Sequence, residues 1–360
     1  MADEHTNRAS FGIQAEYCTA MAAPITARVS RVLGTALSRD SRTGRRVLDW
    51  PGEPVADALV LRLVGGFHAL HRRGVAALAP VFTGAETGEA RVAAILQQVV
   101  AAHDGDLLPW LDGPPQTNEA GRSAGLMTGI LHLARRYGPR IEVLEIGSSA
   151  GLNLLVGRYR FDLGGVTFGP EASPVEIRPE WRGPPPPDAP VEIVSARGVD
   201  IQPLDLLTDR DAERLQAYCW VDNADRQARL EKAIAMVRAE GVDLAQGDAA
   251  DWLEARLAEP QAPGVTRVLM HSVVWQYLPQ ATQHRIAAGM QAAGARATSD
   301  RPVGWVMMEP NRNLHRQEVR VLGWPGDTPM QLVALTHAHG AWVEACAPPY
   351  ESRAYVMRED

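Results

Sequence analysis

The segment richest in chemistry is Glu145-Ile146-Gly147-Ser148-Ser149-Ala150-Gly151, which follows directly on the apolar run Ile141–Leu144. A short apolar run stopped by glycine reads as a buried parallel strand, and the glycines let backbone approach a ligand beyond the strand's carboxyl end. The next helix would offer free N–H groups. Glu145, two residues before the first glycine, has the chemistry to anchor backbone or the amino group of an amino-acid-like ligand. The blander reading is that Gly147 and Gly151 only shape a strand–helix turn.

Three later stations have the residue types such a ligand would need. Gly198-Val199-Asp200-Ile201 ends a strand on a carboxylate, an acceptor-only group suited to a pair of hydroxyls. Asp162 sits at shorter spacing from the glycines, but Phe161-Asp162-Leu163-Gly164-Gly165 reads as a hairpin turn, so Asp200 is preferred. Gln246-Gly247-Asp248-Ala249 ends another strand, and there Asp248 is equally a routine helix cap. Val268–Met270 leads into His271, with Trp275 and Tyr277 beyond. His271 suits a general base, and a buried hydrogen-bonded histidine is the even alternative. The two aromatics could face a sulfonium or an acceptor, although a core role leads. Glu309 and Asn311 end the following strand and would share that rim, either holding an acceptor or terminating the strand. Upstream, Thr117-Asn118-Glu119-Ala120-Gly121-Arg122 opens a helix, with capping as the default. Its functional reading is a lid that brings Asn118, Glu119 and Arg122 to a substrate pocket.

The glycine segment resembles the acidic-x-Gly-x-Gly-x-Gly motif of class I S-adenosylmethionine-dependent methyltransferases, with Ser149 in place of the middle glycine. The nicotinamide fingerprint G-x-G-x-x-G would need glycine at both Ser149 and Leu152. The resemblance implies Glu145, Gly147, Ser149, Gly151 and Asn153 at the methionine end of the cofactor, Asp200 on ribose and Asp248 near adenine. From the residues themselves, His271, Glu119 and Arg122 are the candidate catalytic residues, and Asn118, Trp275, Tyr277, Glu309 and Asn311 the candidate substrate contacts. Asn118-Glu119, Glu145–Tyr159, Arg197–Asp205, Cys219-Trp220-Val221-Asp222, Gly247–Trp252 and His271–Tyr277 together resemble the bacterial family known as domain of unknown function 2332. That family implies a methyltransferase-type fold and brings no established reaction.

The elements that must position these residues follow from periodicity. Up to about residue 138 apolar residues recur at helical spacing, as in Leu59, Leu63, Phe67 and Leu70, and no strand is convincing. From 139 onward strands alternate with helices, which predicts a mostly parallel sheet with helices on both faces. Residues 157–190 read as an insertion carrying a hairpin, and Gln331–Ala345 as a final antiparallel pair. The expected fold is therefore α/β: an all-helical region, 1–138, and a Rossmann-like methyltransferase-type domain, 139–360.

Composition sets the outer limits. The chain has 360 residues and a formal net charge of -7, which argues against non-specific nucleic-acid binding. Lys232 is the only lysine among 36 basic side chains, so arginine here reflects genome composition more than guanidinium chemistry. Three cysteines far apart, without C-x-x-C, suit a reducing cytoplasm and give no zinc signature. No leader is visible and no apolar run is long enough to span a bilayer. His68 and His71 lie one helical turn apart without a third ligand, so metal is not expected. His337 and His339 alternate as if on one strand face. Ala347-Pro348-Pro349-Tyr350 resembles the N-P-P-Y motif of nucleobase-amine methyltransferases, without the asparagine and after the wrong strand, and reads as a loop. The expectation is a cytoplasmic S-adenosylmethionine-dependent methyltransferase acting on a small molecule, with the helical half as a candidate homodimer surface. A non-catalytic binding or sensor protein and an NAD(P)-dependent oxidoreductase are the rivals.

Overall fold

The computed structural model describes residues 3–311 and 316–346, so the Ala347–Tyr350 segment lies outside the described residues. The contacts divide the chain into two compact units. One comprises the chain up to Thr117 together with Thr208–Glu231; the other comprises Asn118–Leu207 and the chain from Lys232 onward.

The first unit is helical, with α1 (Glu4–Ala20), α2 (Pro24–Ala36), α3 (Arg42–Leu48), α4 (Leu59–Arg72), α5 (Ala79–Phe82) and α6 (Glu89–Leu107). Phe11, Leu33, Leu63, Phe67 and Leu96 form its buried centre. Along a helix the buried residues repeat at three and four positions, as Leu59, Leu63, Phe67 and Leu70 do in α4, so one apolar stripe turns inward. Thr208–Glu231 belongs to this unit for a specific reason. α2 begins after Ala23, which supplies no side-chain cap. The Asp222 carboxylate takes that place, accepting from the N–H of Ile25 (2.7 Å), the N–H of Thr26 (3.1 Å) and the Thr26 hydroxyl (2.6 Å). His68 is held inside this unit. Its Nδ1 meets the Ala217 carbonyl at 3.0 Å, its ring stacks on Phe82, and burial lowers its pKa to about 4.

The second unit is α/β. Before the sheet come α7 (Ser123–Tyr137) and then β1 (Arg140–Ile146). β2 (Arg160–Leu163), β3 (Val166–Phe168) and β4 (Glu176–Ile177) form a separate small sheet within the expected insertion. Asp162 sits at its hairpin turn, where Oδ1 accepts from the Gly165 N–H at 3.1 Å. There follow β5 (Glu180–Arg182), β6 (Glu192–Asp200), α8 (Asp209–Ala217, part of the first unit) and α9 (Ala224–Glu240, within which the division falls). The chain continues through β7 (Asp243–Gln246), α10 (Ala249–Ala258), β8 (Thr266–Ser272), α11 (Gln280–Arg296), β9 (Val303–Asn311), β10 (Arg316–Trp324), β11 (Gln331–Thr336) and β12 (Trp342–Ala345).

Nine strands make one mixed, mostly parallel sheet in the order β5-β12-β11-β10-β9-β8-β1-β6-β7. Every residue of β8 is buried, as a central parallel strand requires. α7 can lie close on one face because Gly125 and Gly129, one turn apart, leave room for the strands. A Cβ on Gly129 would sit 2.5 Å from Val306 Cγ1. No described helix is long and apolar enough to cross a membrane.

Two sequence expectations need correction. The antiparallel part is larger than a final pair, because β10 was not foreseen and β9, β10, β11 and β12 run antiparallel in succession. Polar Glu318 and Arg320 hid β10 by breaking its apolar pattern. In the fold they lie buried and satisfy one another, with Arg320 Nε 2.9 Å from Glu318 Oε2. His337 and His339 occupy the turn after β11 rather than one strand face, and the His339 N–H donates to His337 Nδ1 at 3.1 Å.

Candidate functional site

β1 pairs with β6 on one side and β8 on the other, so the chain order reverses about β1. Such a reversal leaves a crevice beyond the strand ends, where ligands bind in open α/β sheets. The glycine segment lies there. Gly147 (φ +67), Ser149 (φ +53) and Gly151 (φ +76) are all left-handed. Ser149 therefore holds a conformation that glycine adopts freely and other residues resist.

Asp200, at the end of β6, holds this loop. Its Oδ2 accepts from the Ser149 N–H at 2.8 Å and its Oδ1 from the Gln202 N–H at 2.9 Å. Each oxygen retains a second acceptor position. Next to it Ile201 is 72% exposed, an apolar side chain on the crevice rim that periodicity could not single out. The segment after Gly151 is a six-residue 3-10 helix, Leu152–Gly157. Its first N–H, on Leu152, is already taken by Asn118 Oδ1 at 2.8 Å. The expected helix N-terminus open to a ligand is therefore replaced by a short turn capped from within.

Glu145 is wholly buried, and desolvation pushes its pKa up to about 8. The polar Ser148 and Asn153 side chains nearby and the charge of Arg122 oppose that rise without cancelling it. Glu145 Oε2, Asn153 Nδ2 and Ser149 Oγ are buried without a hydrogen-bond partner. Asn153 Oδ1 accepts from the Ser123 hydroxyl at 2.9 Å, a neighbour the sequence did not flag. Glu119 caps the turn that begins α7, with Oε1 accepting from the Gly121 N–H at 2.8 Å. Arg122 donates to the Ala338 carbonyl at 3.1 Å.

A second cluster occupies the other face. Glu145 pairs in register with Met270, the residue before His271, so Glu145 and His271 point to opposite sides of the sheet. His271 is wholly buried. Its Nδ1 lies 2.6 Å from Glu309 Oε1, and its ring stacks on Trp275. The same Glu309 oxygen accepts from the N–H groups of Val274 (3.1 Å) and Trp275 (3.3 Å). A carboxylate on Nδ1 sets the tautomer that leaves Nε2 as an acceptor. His271 Nε2 and Glu309 Oε2 are both buried and unpartnered. Val273 is left-handed (φ +56), a costly conformation for a β-branched residue, in the loop that Glu309 clamps.

The predicted residues are thus sorted into groups. Asn118, Arg122, Glu145 and Asn153 lie on the α7 face, where Glu119 caps the same turn. His271, Trp275 and Glu309 lie on the α11 face, with Asn311 donating to Glu318 Oε1 at 2.8 Å. Asp248 caps α10, accepting from Ala250 and Asp251 at 2.9 and 3.0 Å. Tyr277 is 73% exposed and diverges from buried Trp275. The two faces meet at Gly147, where a Cβ would stand 2.3 Å from Val274 Cγ2.

No curated protein and no solved structure matches the chain. A family model matches residues 8–345, which include the glycine loop, Asp200, Asp248, His271 and Glu309. The chain belongs to that family, the uncharacterized proteins conserved in bacteria grouped as DUF2332.

Proposed function

We propose that the chain is an S-adenosylmethionine-dependent methyltransferase acting on a small molecule. The observation that carries this reading is the left-handed glycine loop at the point of strand reversal, pinned by Asp200 and flanked by buried polar atoms without partners. The order β7-β6-β1-β8-β9 supports it, since it is the 3-2-1-4-5 order of doubly wound sheets. The next strand, β10, is antiparallel, which together with the missing glycines counts against a dinucleotide-dependent oxidoreductase.

The residues fit the cofactor by chemistry. Glu145 Oε2 lacks a donor, and the ammonium of an amino-acid moiety is one. Asp200 keeps acceptor positions for two hydroxyls, Ile201 offers an apolar face to a base, and Asp248 Oδ2 is available to an exocyclic amine. Bound there, the group supplies an electrophilic methyl for in-line transfer. The protein's part is to orient it, exclude water and manage protons. His271, held by Glu309 with Nε2 as acceptor, is the base. It is enclosed, so it acts only when the Val273–Leu278 loop moves aside. That enclosure favours a second reading, binding without turnover.

Calorimetric titration with S-adenosylmethionine and S-adenosylhomocysteine tests the proposal. Wild type should bind both, and Ile201→Asp, a change at an exposed site, should weaken both by about tenfold or more, roughly 1.4 kcal/mol. Glu145 is mostly protonated at pH 7, so an arriving ammonium should expel a proton and make the heat depend on the buffer. Folded wild type that binds neither compound, or an Ile201→Asp variant that binds both with undiminished affinity, would end the reading. Binding with no methyl transferred to any acceptor of a screened panel would select the second.

A further inference from the structure

Among the described residues the α11 face of the sheet is incompletely covered. α7 packs across β8, β9, β10 and β11 on one side, while on the other α11 packs on β9 and β10. β9 pairs antiparallel with β10, and α10, which packs beside α11, lies over β1 and β6 and leaves the β9–β10 end of this face to α11. A cavity of about 820 Å3 remains in that place. Its inner walls are Trp275, Trp305, Met307, Leu322, Trp324 and Met330. α11 and the 326–330 loop form its sides. Trp324 closes on α11 at Gly294, where a Cβ would stand 2.4 Å from the indole.

We propose that this cavity is a binding site for a flat, uncharged aromatic molecule of about three rings. Its volume lies within the range of about 300–1,000 Å3 typical of small-molecule sites. Three indoles supply stacking surfaces, which favour planar partners. The charged group on its strand wall, Arg320, is neutralised by Glu318, to which Nε and Nη2 donate at 2.9 and 2.8 Å. Against this wall an added charge would lose its hydration without gaining a partner, whereas the ionisable Asp327 and His284 stand at the exposed sides of the cavity. Trp305 also carries a buried Nε1–H with no acceptor, which a carbonyl on the occupant would answer. Trp275 joins the site to the chemistry beneath it, since it both lines the cavity and stacks on His271. A concave slot suits a small molecule better than a second copy of the chain, whose interface would be flatter and cover roughly 800 Å2 per partner.

Flavone is a suitable probe, with 3-methylflavone-8-carboxylate as its charged counterpart and 1-adamantanol as a non-planar control. Binding is read from absorbance-corrected tryptophan fluorescence, with no adenosyl compound present. Flavone should bind saturably, the carboxylate at least tenfold more weakly, and adamantanol not at all. Ala288, exposed on the α11 rim of the cavity, can be enlarged without touching the core. Ala288→Trp should weaken flavone at least tenfold with its circular dichroism unchanged, and Met330→Trp, on the opposite wall, should do the same. Ile201→Asp should leave flavone binding unchanged, so this site stands or falls apart from the methyl-donor reading. Three outcomes overturn the inference: no saturable binding, equal affinity in both enlarged variants, or a dimer in sedimentation that Ala288→Trp dissociates. The last would show a second copy covering this face.

Discussion

Gly147→Ala isolates the loop on which the functional reading depends. Two costs add at this position. An alanine at φ +67 sits in the left-handed region, a penalty of about 1–2 kcal/mol. Its Cβ would also stand 2.3 Å from Val274 Cγ2 and 2.7 Å from Val274 Cβ. Overpacking of this kind costs about 1–3 kcal/mol. Together the variant should lose roughly 2–5 kcal/mol. Native-state amide exchange of β8, the strand beside β1, reports on the sheet alone and avoids assuming that both units unfold together. Its protection should fall roughly 30-fold to several-thousand-fold. Val274→Ala would not relieve the clash, because the Cβ remains; Val274→Gly removes every atom in the way. In a double-mutant cycle with Val274→Gly, Gly147→Ala should therefore retain only its backbone cost of about 1–2 kcal/mol. A loss below about 0.5 kcal/mol, or the same loss in both backgrounds, would refute the close approach of the two loops.

Three further outcomes follow from the same geometry. Glu145 has its folded pKa raised to about 8, so between about 4.5 and 8 the folded state holds a proton that the unfolded state has released. Stability from this group is complete below about 4.5 and is lost as pH rises to about 8, at most roughly 1.4 kcal/mol per pH unit. Urea midpoints measured from pH 5 to 8 should fall less steeply for Glu145→Gln than for wild type, and equal slopes would count against burial as the cause. Asp222→Ala removes three hydrogen bonds at the start of α2 and should cost the helical unit about 1–3 kcal/mol in chemical unfolding. Glu309→Met strands the donors on His271, Val274 and Trp275. It should destabilise by several kcal/mol at about 1–3 kcal/mol per buried group, whereas Glu309→Gln keeps an acceptor oxygen and should lose less. Identical losses in thermal unfolding would mean that charge, not the shared acceptor, matters.

The part of this protein legible in its sequence is the part dictated by local pattern. Helical spacing identified the region up to α7 as helical, and short apolar runs identified β1, β6, β7, β8 and β9. These signals work because a buried strand or an amphipathic helix writes its environment into consecutive residues. The glycine loop was legible too, since left-handed backbone selects residue type. β10 was not, because Glu318 and Arg320 become acceptable in a buried strand only when they meet each other.

Tertiary structure alone decided how the singled-out residues were shared between faces. One residue of register places Glu145 with Arg122 and Asn153 under α7, and His271 with Glu309 and Trp275 under α11. Strand parity shows this only once the pairing of β1 with β8 is known, and those strands are more than a hundred residues apart. The same holds for Asp222, which caps a helix nearly two hundred residues earlier in the chain. It holds again for the cavity beside α11, whose walls come from β9, β10, α11 and the 326–330 loop. Local sequence selects the conformation of a segment, whereas sheet order and register select its neighbours, and the chemistry of a buried carboxylate or imidazole is set by those neighbours.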